Sequence, residues 1–202
     1  MVASAMMTLA ALDLRYPPPL DAAGETSRMV VDRNGGLLRA FTIADGRWRL
    51  TADLDGTDPL LVNMLVTYED KRFFRHNGVD PLAMLRAAWQ LAANGRIVSG
   101  GSTLTMQLAR LLEPRKSRSL GAKLRQALRA LQIERRLSKQ EILKRYLTLA
   151  PYGGNLEGVR AAALAYFSKS PQKLTMAQAA LLIALPQLPE ARRPDRNPQN
   201  AT

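Results

Sequence analysis

The chain has 202 residues, of which 47% are hydrophobic and 23% are charged, a composition that supports a folded core and excludes a disordered chain. It contains no cysteine and a single histidine, His76, which excludes disulfides and the usual zinc sites. Lysine and arginine number 29 against 17 acidic residues, a formal charge of +12, so the expected partners are anionic.

Residues 1–12 are almost wholly apolar, and Asp13 and a run of prolines at 17–19 end the stretch. It is shorter than the ~20 residues that cross a membrane, and it lacks the basic flank of a signal peptide. Two interpretations stay open, a frayed apolar terminus and the outer end of a membrane helix that begins outside this sequence. We therefore assign residues 1–20 as a partial membrane anchor or apolar N-terminus.

The next segment predicts a small amount of β-structure. Apolar residues at 29–31 and 37–38 flank Asn34-Gly35, a pattern typical of a β-hairpin. A further short strand is predicted at residues 48–50.

Helical patterns dominate from Asp58 onward. Asp58-Pro59 and Asp80-Pro81 each place a capping residue before a proline, which is typical of a helix start. Gly95 suits the end of the second of these helices. Ser102 is predicted to cap the next helix, which runs to about Leu112.

The longest helix is predicted over residues 120–137. Four leucines recur in it at spacings of four, four and three, namely Leu120, Leu124, Leu128 and Leu131. This periodicity predicts a leucine stripe that faces the core.

Two capping-box pairs mark the last helices. Ser138 with Glu141 predicts a helix to about residue 150, and Thr175 with Gln178 predicts an apolar helix that ends at Pro186. The segment from Pro186 onward has no periodicity and is predicted to leave the globule.

A candidate general base lies in residues 68–80, YEDKRFFRHNGVD, where an apolar helix delivers Glu69 and Asp70 just before a turn at Asn77-Gly78. A carboxylate at the end of an apolar helix loses part of its hydration, which makes it a better base. Glu69 is the candidate. The alternative is surface pairing with the neighbouring basic residues Lys71, Arg72 and Arg75.

A candidate anion site lies in residues 100–110, GGSTLTMQLAR, where two glycines precede a capped helix. Free backbone N–H groups at the positive end of a helix form a cradle for an anion. At ~100° per residue, Thr103, Gln107 and Arg110 share one face of the helix, and we expect this face to contact a ligand. The alternative is an ordinary helix N-cap.

The long helix adds positive charge to this region. Lys123 and Gln126 lie on one side of it with Ala130 and Glu134. The basic residues of its flank and of the preceding loop are Arg115, Lys116, Arg118, Arg125, Arg129 and Arg136. A pyrophosphate would suit this charge, and the alternative is a solvated basic surface.

Several stretches resemble, in order, the motifs of the family 51 glycosyltransferases, the peptidoglycan glycosyltransferase domains of bifunctional penicillin-binding proteins. They are EDKRFFRHNGVD, GGSTLTMQLAR, LRQALRALQIERRLSKQEILKRYL and GVRAAALAYFSKSPQKLTMAQAALLIALPQLP. The likeness covers residues 30–195, and ordered motifs are more specific than any single one. Residues 150–154 and 193–195 look most like the penicillin-binding protein 1C branch.

The resemblance implies a mainly α, lysozyme-like helical glycosyltransferase domain over residues 21–195, with a short N-terminal β-hairpin and a disordered tail at 196–202. It implies polymerisation of lipid II with inversion and release of polyprenyl pyrophosphate, on the outer, periplasmic face of the cytoplasmic membrane. The implied partners are lipid II, the lipid-linked glycan strand, the membrane, and a transpeptidase or other cell-wall synthase, without nucleic acid. The implied cofactor is Mg²⁺ or Mn²⁺ bound through the substrate pyrophosphate, with no metal ligand from the protein.

The resemblance also implies roles for individual residues. Glu69 falls on the catalytic base, which deprotonates the 4-hydroxyl of the acceptor N-acetylglucosamine. Gln126 stands at the second catalytic position, where the family has a glutamate, although an amide cannot act as an acid. The positions that match donor- or pyrophosphate-binding residues are Ser102, Thr103, Gln107, Arg110, Arg118, Lys123 and Arg125. The other motif residues assigned to substrate binding are Asp70, Phe73, His76 and Gly101, and His76 is also expected to fix the turn after Glu69.

Other functions stay open. Gln126 motivates a truncated or non-catalytic homologue that binds lipid II or a partner synthase without turnover. Only the charge supports a nucleic-acid binder, which an aromatic content of 5% and the lack of a nucleic-acid motif disfavour. A glycan hydrolase is disfavoured because Glu69 and Asp70 are adjacent, and adjacent helical side chains diverge.

Overall fold

The computed structural model describes residues 13–34, 36–95, 100–114, 119–196 and 199. The chain divides into two compact units. The first unit comprises Met1–Ala22 and Asp70–Ile142, and the second comprises Ala23–Glu69 and Leu143–Thr202. About 51% of the chain is helical, which confirms the prediction of a mainly α protein.

The helices lie in both units. In chain order they are α1 (Pro59–Glu69), α2 (Pro81–Asn94), α3 (Leu104–Leu112), α4 (Leu120–Glu134), α5 (Lys139–Leu149), α6 (Val159–Phe167) and α7 (Met176–Ala184). Short 3-10 helices cover Leu20–Ala23, Phe73–Arg75 and Leu185–Gln187. The strands are β1 (Arg28–Val31), β2 (Leu37–Phe41), β3 (Trp48–Arg49) and β4 (Leu156–Glu157).

The aspartate–proline helix starts are confirmed. The Asp58 carboxylate accepts a hydrogen bond from the Leu60 backbone N–H at 2.9 Å, and Asp80 accepts one from Ala83 at 3.0 Å. Gly95 follows α2 with a φ of +63°, a conformation that favours glycine at the end of a helix. Local capping chemistry therefore sets these helix limits.

The third helix begins one residue later than predicted. Thr103, and not Ser102, is its N-cap, because Thr103 has an extended backbone and its hydroxyl accepts from the Met106 N–H at 3.1 Å. Ser102 therefore lies outside the helix, and its hydroxyl is available for another contact.

Both predicted capping boxes are present. The Thr175 hydroxyl accepts from the Gln178 N–H, and the Gln178 side chain accepts from the Thr175 N–H. The Ser138 N–H donates to the Glu141 carboxylate at 2.7 Å, and the Glu141 N–H donates to the Ser138 hydroxyl at 3.3 Å. These reciprocal bonds satisfy backbone donors that a helix start leaves open.

The predicted hairpin is also confirmed. Strands β1 and β2 pair antiparallel, with Met29 opposite Ala40. Asp32 shapes the turn, since its carboxylate accepts from the N–H groups of Asn34 and Gly36, both at 2.8 Å.

A second pairing joins distant parts of the second unit. Strand β3 pairs in parallel with β4, with Trp48 opposite Leu156. Beneath this pairing, the Arg49 Nε donates to Glu157 at 2.6 Å, and the side chains of both residues are buried. The same unit packs α7 against α1.

The leucine stripe of α4 was predicted wrongly. Leu120, Leu124 and Leu128 are 90%, 64% and 39% exposed, whereas Ala130 and Ile133 are 0% and 1% exposed. The helix turns Ala130 toward the interior of the first unit, and the Gly78 backbone packs closely against it. A Cβ added to Gly78 would lie only 2.6 Å from the Ala130 carbonyl oxygen. A leucine on that face would prevent this close backbone approach. The helix also ends at Glu134, before the predicted residue 137.

The segment after Pro186 does not leave the globule. Arg192 donates to the Ala184 carbonyl at 2.9 Å, and the Glu190 carboxylate accepts from the Gly154 N–H at 2.6 Å. Arg193 packs over Gly153 and Gly154, where a Cβ would lie within 2.7 Å of its side chain. The expectation failed because these contacts join segments that no periodicity connects. The predicted disorder of residues 196–202 falls mostly outside the described residues and stays a prediction.

Residues 1–12 of the predicted anchor or apolar N-terminus at 1–20 also lie outside the described residues. In the part of the chain that the structure describes, no helix is long and apolar enough to cross a membrane. The residues that follow are held to α4 and to Arg136, which lies just beyond its end. Arg136 pairs with Asp13 at 2.9 Å, and the Tyr16 carbonyl accepts from Arg129 and Gln132 at 2.6 and 3.1 Å.

Candidate functional site

Glu69 is the last residue of α1 and is partly buried. The buried side of this apolar helix carries Leu61 and Leu65. The Glu69 Oε1 accepts a hydrogen bond of 2.8 Å from the Nε2 of Gln187. A half-buried acid at the end of an apolar helix is therefore present as predicted, and its role as a base stays a prediction.

Asp70 has different partners from its neighbour Glu69. Its two carboxylate oxygens lie 2.9 and 3.0 Å from the His76 Nε2, and Oδ2 accepts from the Leu104 backbone N–H at 2.9 Å. Asp70 is 7% exposed. It therefore joins the turn after Glu69 to the start of α3, and His76 fixes that turn as predicted.

The start of α3 is not the open anion cradle that the sequence predicts. The Leu104 N–H donates to Asp70 at 2.9 Å and the Met106 N–H donates to the Thr103 hydroxyl at 3.1 Å. Because a negative charge is stabilised at a helix N-terminus, the protein's own Asp70 carboxylate already serves as the anion there. Two N–H groups at this helix start are therefore already bonded within the protein.

Thr103 and Phe73 lie in the interior of the first unit. Thr103 is 2% exposed, and its hydroxyl donates to the Gly78 carbonyl at 2.5 Å. Phe73 is 0% exposed. Both support the turn and the helix start through protein contacts. The contact of Asp70, Phe73, His76 and Thr103 with substrate, which the resemblance implies, stays a prediction.

A network around Lys139 was not foreseen from the sequence. The Lys139 ammonium donates to the His76 carbonyl and to the Glu134 carboxylate, both at 2.6 Å, and it lies 4.4 Å from the centre of the Phe73 ring. Thr105 donates to the same Glu134 oxygen at 2.6 Å. Lys139 and His76 are 63 positions apart, and no local pattern signals such a contact.

Two cations and a hydroxyl come together in the first unit, and we call Ser102, Arg110 and Lys123 the cationic cluster. The Lys123 ammonium donates a hydrogen bond to the Ser102 hydroxyl. Partial desolvation, followed by the nearby Arg110 guanidinium, lowers the pKa of Lys123 below its usual value. These are three of the residues to which the resemblance gives a role in binding the donor or its pyrophosphate, and that role stays a prediction.

Three other predicted site residues have different surroundings: Gln107 at the donor, Gly101 in substrate binding and Gln126 at the second catalytic position. Gln107 is partly buried on α3. Gly101 lies against α2, where a Cβ would be 3.3 Å from the Met84 Cα. Gln126 is partly buried and lines a small recess with Ala109.

Arg125 is not grouped with the cationic cluster. It lines a groove of about 480 Å³ together with Tyr16, Leu124 and Leu128. Arg125 follows Lys123 by two positions on α4, so the two side chains project roughly 200° apart. Arg118 lies outside the described residues. The predicted contact of both arginines with the donor stays a prediction.

The cationic cluster does not fit a resident divalent metal. Its side chains offer an ammonium, a guanidinium and a hydroxyl, whereas Mg²⁺ and Mn²⁺ prefer carboxylate and carbonyl oxygens. Within the described ranges, no three histidine, aspartate or glutamate side chains gather into a group that could hold a metal ion.

Comparisons with known proteins give one consistent family. Residues 34–202 match the sequence family described as Transglycosylase. The chain is 48% identical over 189 residues to penicillin-binding protein 1C of Escherichia coli (strain K12), which covers 94% of this chain and 24% of that protein.

Two further relatives agree with this match. Penicillin-binding protein 1A of Aquifex aeolicus (strain VF5) is 40% identical over 153 residues, 76% of this chain and 21% of that protein. Penicillin-binding protein 1B of Haemophilus influenzae is 36% identical over 168 residues, 81% of this chain and 22% of that protein. The chain thus spans less than a quarter of the length of these relatives.

Proposed function

The chain belongs to the transglycosylase family, and on that premise we propose that it is a peptidoglycan glycosyltransferase that polymerises lipid II into glycan strands. The family fold is the predicted one, lysozyme-like and mainly helical.

In the proposed reaction, Glu69 takes the proton from the 4-hydroxyl of the acceptor N-acetylglucosamine. The oxygen then attacks the anomeric carbon of the lipid-linked strand from the face opposite the leaving group. The bond from that carbon to the pyrophosphate oxygen breaks, and its electron pair leaves with the polyprenyl pyrophosphate. Attack from the opposite face inverts the configuration of the sugar.

The cationic cluster supports the departure of the pyrophosphate in this proposal. Lys123 and Arg110 stabilise the negative charge that develops on the leaving oxygen, and the Ser102 hydroxyl holds the ammonium in place. Preorganised charges of this kind commonly provide the largest single contribution to catalysis. A Mg²⁺ or Mn²⁺ ion bound through the substrate pyrophosphate is part of the proposal and would neutralise part of the negative charge of the leaving group.

One observation carries the proposal: the Lys123 ammonium donates to the Ser102 hydroxyl at a place where the Arg110 guanidinium is near enough to lower the pKa of Lys123. Two like charges that approach each other raise the free energy of the protein, and an anionic ligand would relieve that cost. A pyrophosphate diester is an anion of the size and charge that this arrangement favours.

The location and partners are proposed on the same basis. A polyprenyl-linked substrate is held in a membrane, so we propose that the domain works on the outer face of the cytoplasmic membrane. The lipid-linked glycan strand is then both donor and product. A transpeptidase or another cell-wall synthase would act on that product.

The test supplies lipid II and Mg²⁺ to the wild type, to Glu69→Gln and to Asp55→Asn, which changes an exposed acid in the same unit. We expect polymer from the wild type and from Asp55→Asn, measured by gel electrophoresis of labelled strands. Loss of a general base should lower the rate of Glu69→Gln by about 10²–10⁴-fold. Equal polymer from wild type and Glu69→Gln would refute the role of Glu69.

A non-catalytic homologue is the second candidate, and Gln126 favours it. This residue stands where the family has a glutamate, and an amide cannot donate or accept a proton in catalysis. This candidate predicts that wild type binds lipid II without making polymer. Polymer from Gln126→Glu alone would then identify the missing carboxyl group as the cause.

A further inference from the structure

The carboxylate of Glu69 is held by a residue far from it in sequence. The Gln187 Nε2 donates to the Glu69 Oε1 at 2.8 Å across 118 positions. Gln187 ends the 3-10 helix that follows α7, and α7 packs against α1, the helix that carries Glu69. The contact therefore rests on two packed helices of the second unit.

The direction of the Gln187 amide is set by Arg192. The Arg192 Nη1 donates to the Gln187 Oε1 at 3.0 Å and to the Ala184 carbonyl at 2.9 Å. A guanidinium has donors only, so it must face the amide oxygen. The NH₂ group of Gln187 then points to Glu69. In the flipped orientation, this NH₂ group would face the N–H donors of Arg192, and the amide oxygen would face the Glu69 carboxylate, so neither hydrogen bond could form.

This arrangement suits a base that must be oriented. The terminal torsion of a glutamate is broad and has no sharp preferred angle, while proton transfer requires the base within about 2.6–3.2 Å of its proton. A neutral amide fixes one carboxylate oxygen without bringing a full positive charge to it. Glu69 is partly buried and Gln187 is exposed, so a sugar hydroxyl can reach the pair from solvent.

We propose that Gln187 is a positioning residue that orients the Glu69 carboxylate for proton abstraction, and that Arg192 holds the Gln187 amide in its donating direction. The inference rests on the proposed function, since it assigns Glu69 as the base. Neither Gln187 nor Arg192 contacts the reacting atoms in this scheme.

The kinetic test compares Gln187→Leu and Gln187→Glu with wild type in lipid II polymerisation. Gln187→Leu should lower kcat by about 10–100-fold and leave KM within about twofold, because misorientation affects the chemical step. Gln187→Glu should move the acidic limb of the pH–rate profile to higher pH, because two adjacent carboxyl groups resist simultaneous ionisation. Matched controls are Gln172→Leu and Gln172→Glu, at an exposed glutamine of the same unit, and both should behave as wild type.

A second measurement does not depend on activity. In an amide NMR spectrum, the Gln187 side-chain signals are those that Gln187→Leu removes, and Glu69→Gln and Arg192→Met should both shift them. Signals unmoved by Glu69→Gln would overturn the contact, and unchanged kcat and pH profile in both Gln187 variants would overturn the positioning role. An inactive wild type with shifted amide signals would refute the proposed function and retain the contact between Gln187 and Glu69.

Discussion

Lys123 is held in a state that costs the folded protein free energy. Its pKa is lowered by partial desolvation and then by Arg110. Between the lowered pKa and the ordinary lysine value, the unfolded chain binds more protons than the folded one, so stability rises with pH in that interval. Below the lowered pKa, the folded protein carries the full cost of the charge. In the proposed function, this cost in stability accompanies a place where an anion binds.

Lys123→Met should separate the cost of the charged lysine to stability from its proposed role in catalysis. We expect it to lower polymerisation by about 10²-fold or more, because a preorganised charge at the leaving group is lost. At pH 7 its urea midpoint should exceed that of the wild type, and the difference should shrink as pH rises through the lowered Lys123 pKa.

Lys144→Met is the matched control, since Lys144 is a half-exposed lysine in the second unit. It should leave polymerisation unchanged. A urea midpoint for Lys123→Met that lies well below that of the wild type would show that Lys123 instead stabilises the fold through Ser102.

Two adjacent acids show how far residue-scale prediction reaches. The sequence marks Glu69 and Asp70 together as candidates, because both follow an apolar helix. In the structure, Glu69 is hydrogen-bonded to Gln187, whereas Asp70 is hydrogen-bonded to His76 and to the Leu104 N–H. Residue type and position could predict the candidates, whereas the partners depend on segments that approach only in the folded chain.

At the scale of elements, helix starts were predicted well and helix faces less well. Caps act over three or four residues, so the Thr175–Gln178 pair could be recognised directly from the sequence. The buried face of α4 depends on what packs against it. Its most hydrophobic stripe is exposed, and Ala130 and Ile133 are buried instead.

The buried face of α4 can be tested by substitution. Leu124→Gln removes an exposed leucine and should change the free energy of unfolding by no more than about 0.5 kcal/mol. Ile133→Ala removes a buried side chain and should cost about 2–4 kcal/mol. Urea denaturation monitored by circular dichroism measures both values. A larger cost for Leu124→Gln than for Ile133→Ala would show that the leucine stripe is the buried face after all.

At the scale of the whole chain, the second unit is closed by contacts between its distant segments. The buried pair Arg49–Glu157 spans 108 positions, and it joins β3 to β4. Arg47 also pairs with Glu157. Removing one partner of a buried ion pair leaves the other charge without compensation in the interior.

Glu157→Ala should therefore destabilise the protein by about 3–5 kcal/mol, measured by urea denaturation. Asp45→Ala is the matched control, because Asp45 is a half-exposed partner of Arg47, and it should cost less than about 1 kcal/mol. A loss in Glu157→Ala as small as in the control would mean that water reaches Arg49 and compensates its charge.

The sequence by itself determined the family, the mainly helical class, the hairpin, the helix starts and Glu69 as a candidate base. Each of these depends on residues close together in the chain, or on motifs whose order can be read along it. Capping groups, turn residues and hydrophobic periodicity act over a few positions, so their effects can be predicted from the local sequence.

The tertiary structure alone decided which face of α4 is buried, that Asp70 occupies the start of α3, that Gln187 contacts Glu69 and that Arg193 returns to Gly153. These features depend on packing and hydrogen bonds between segments as much as 118 positions apart. Such a contact depends on two residues that approach each other only in the folded chain. The local sequence around either residue therefore does not predict it.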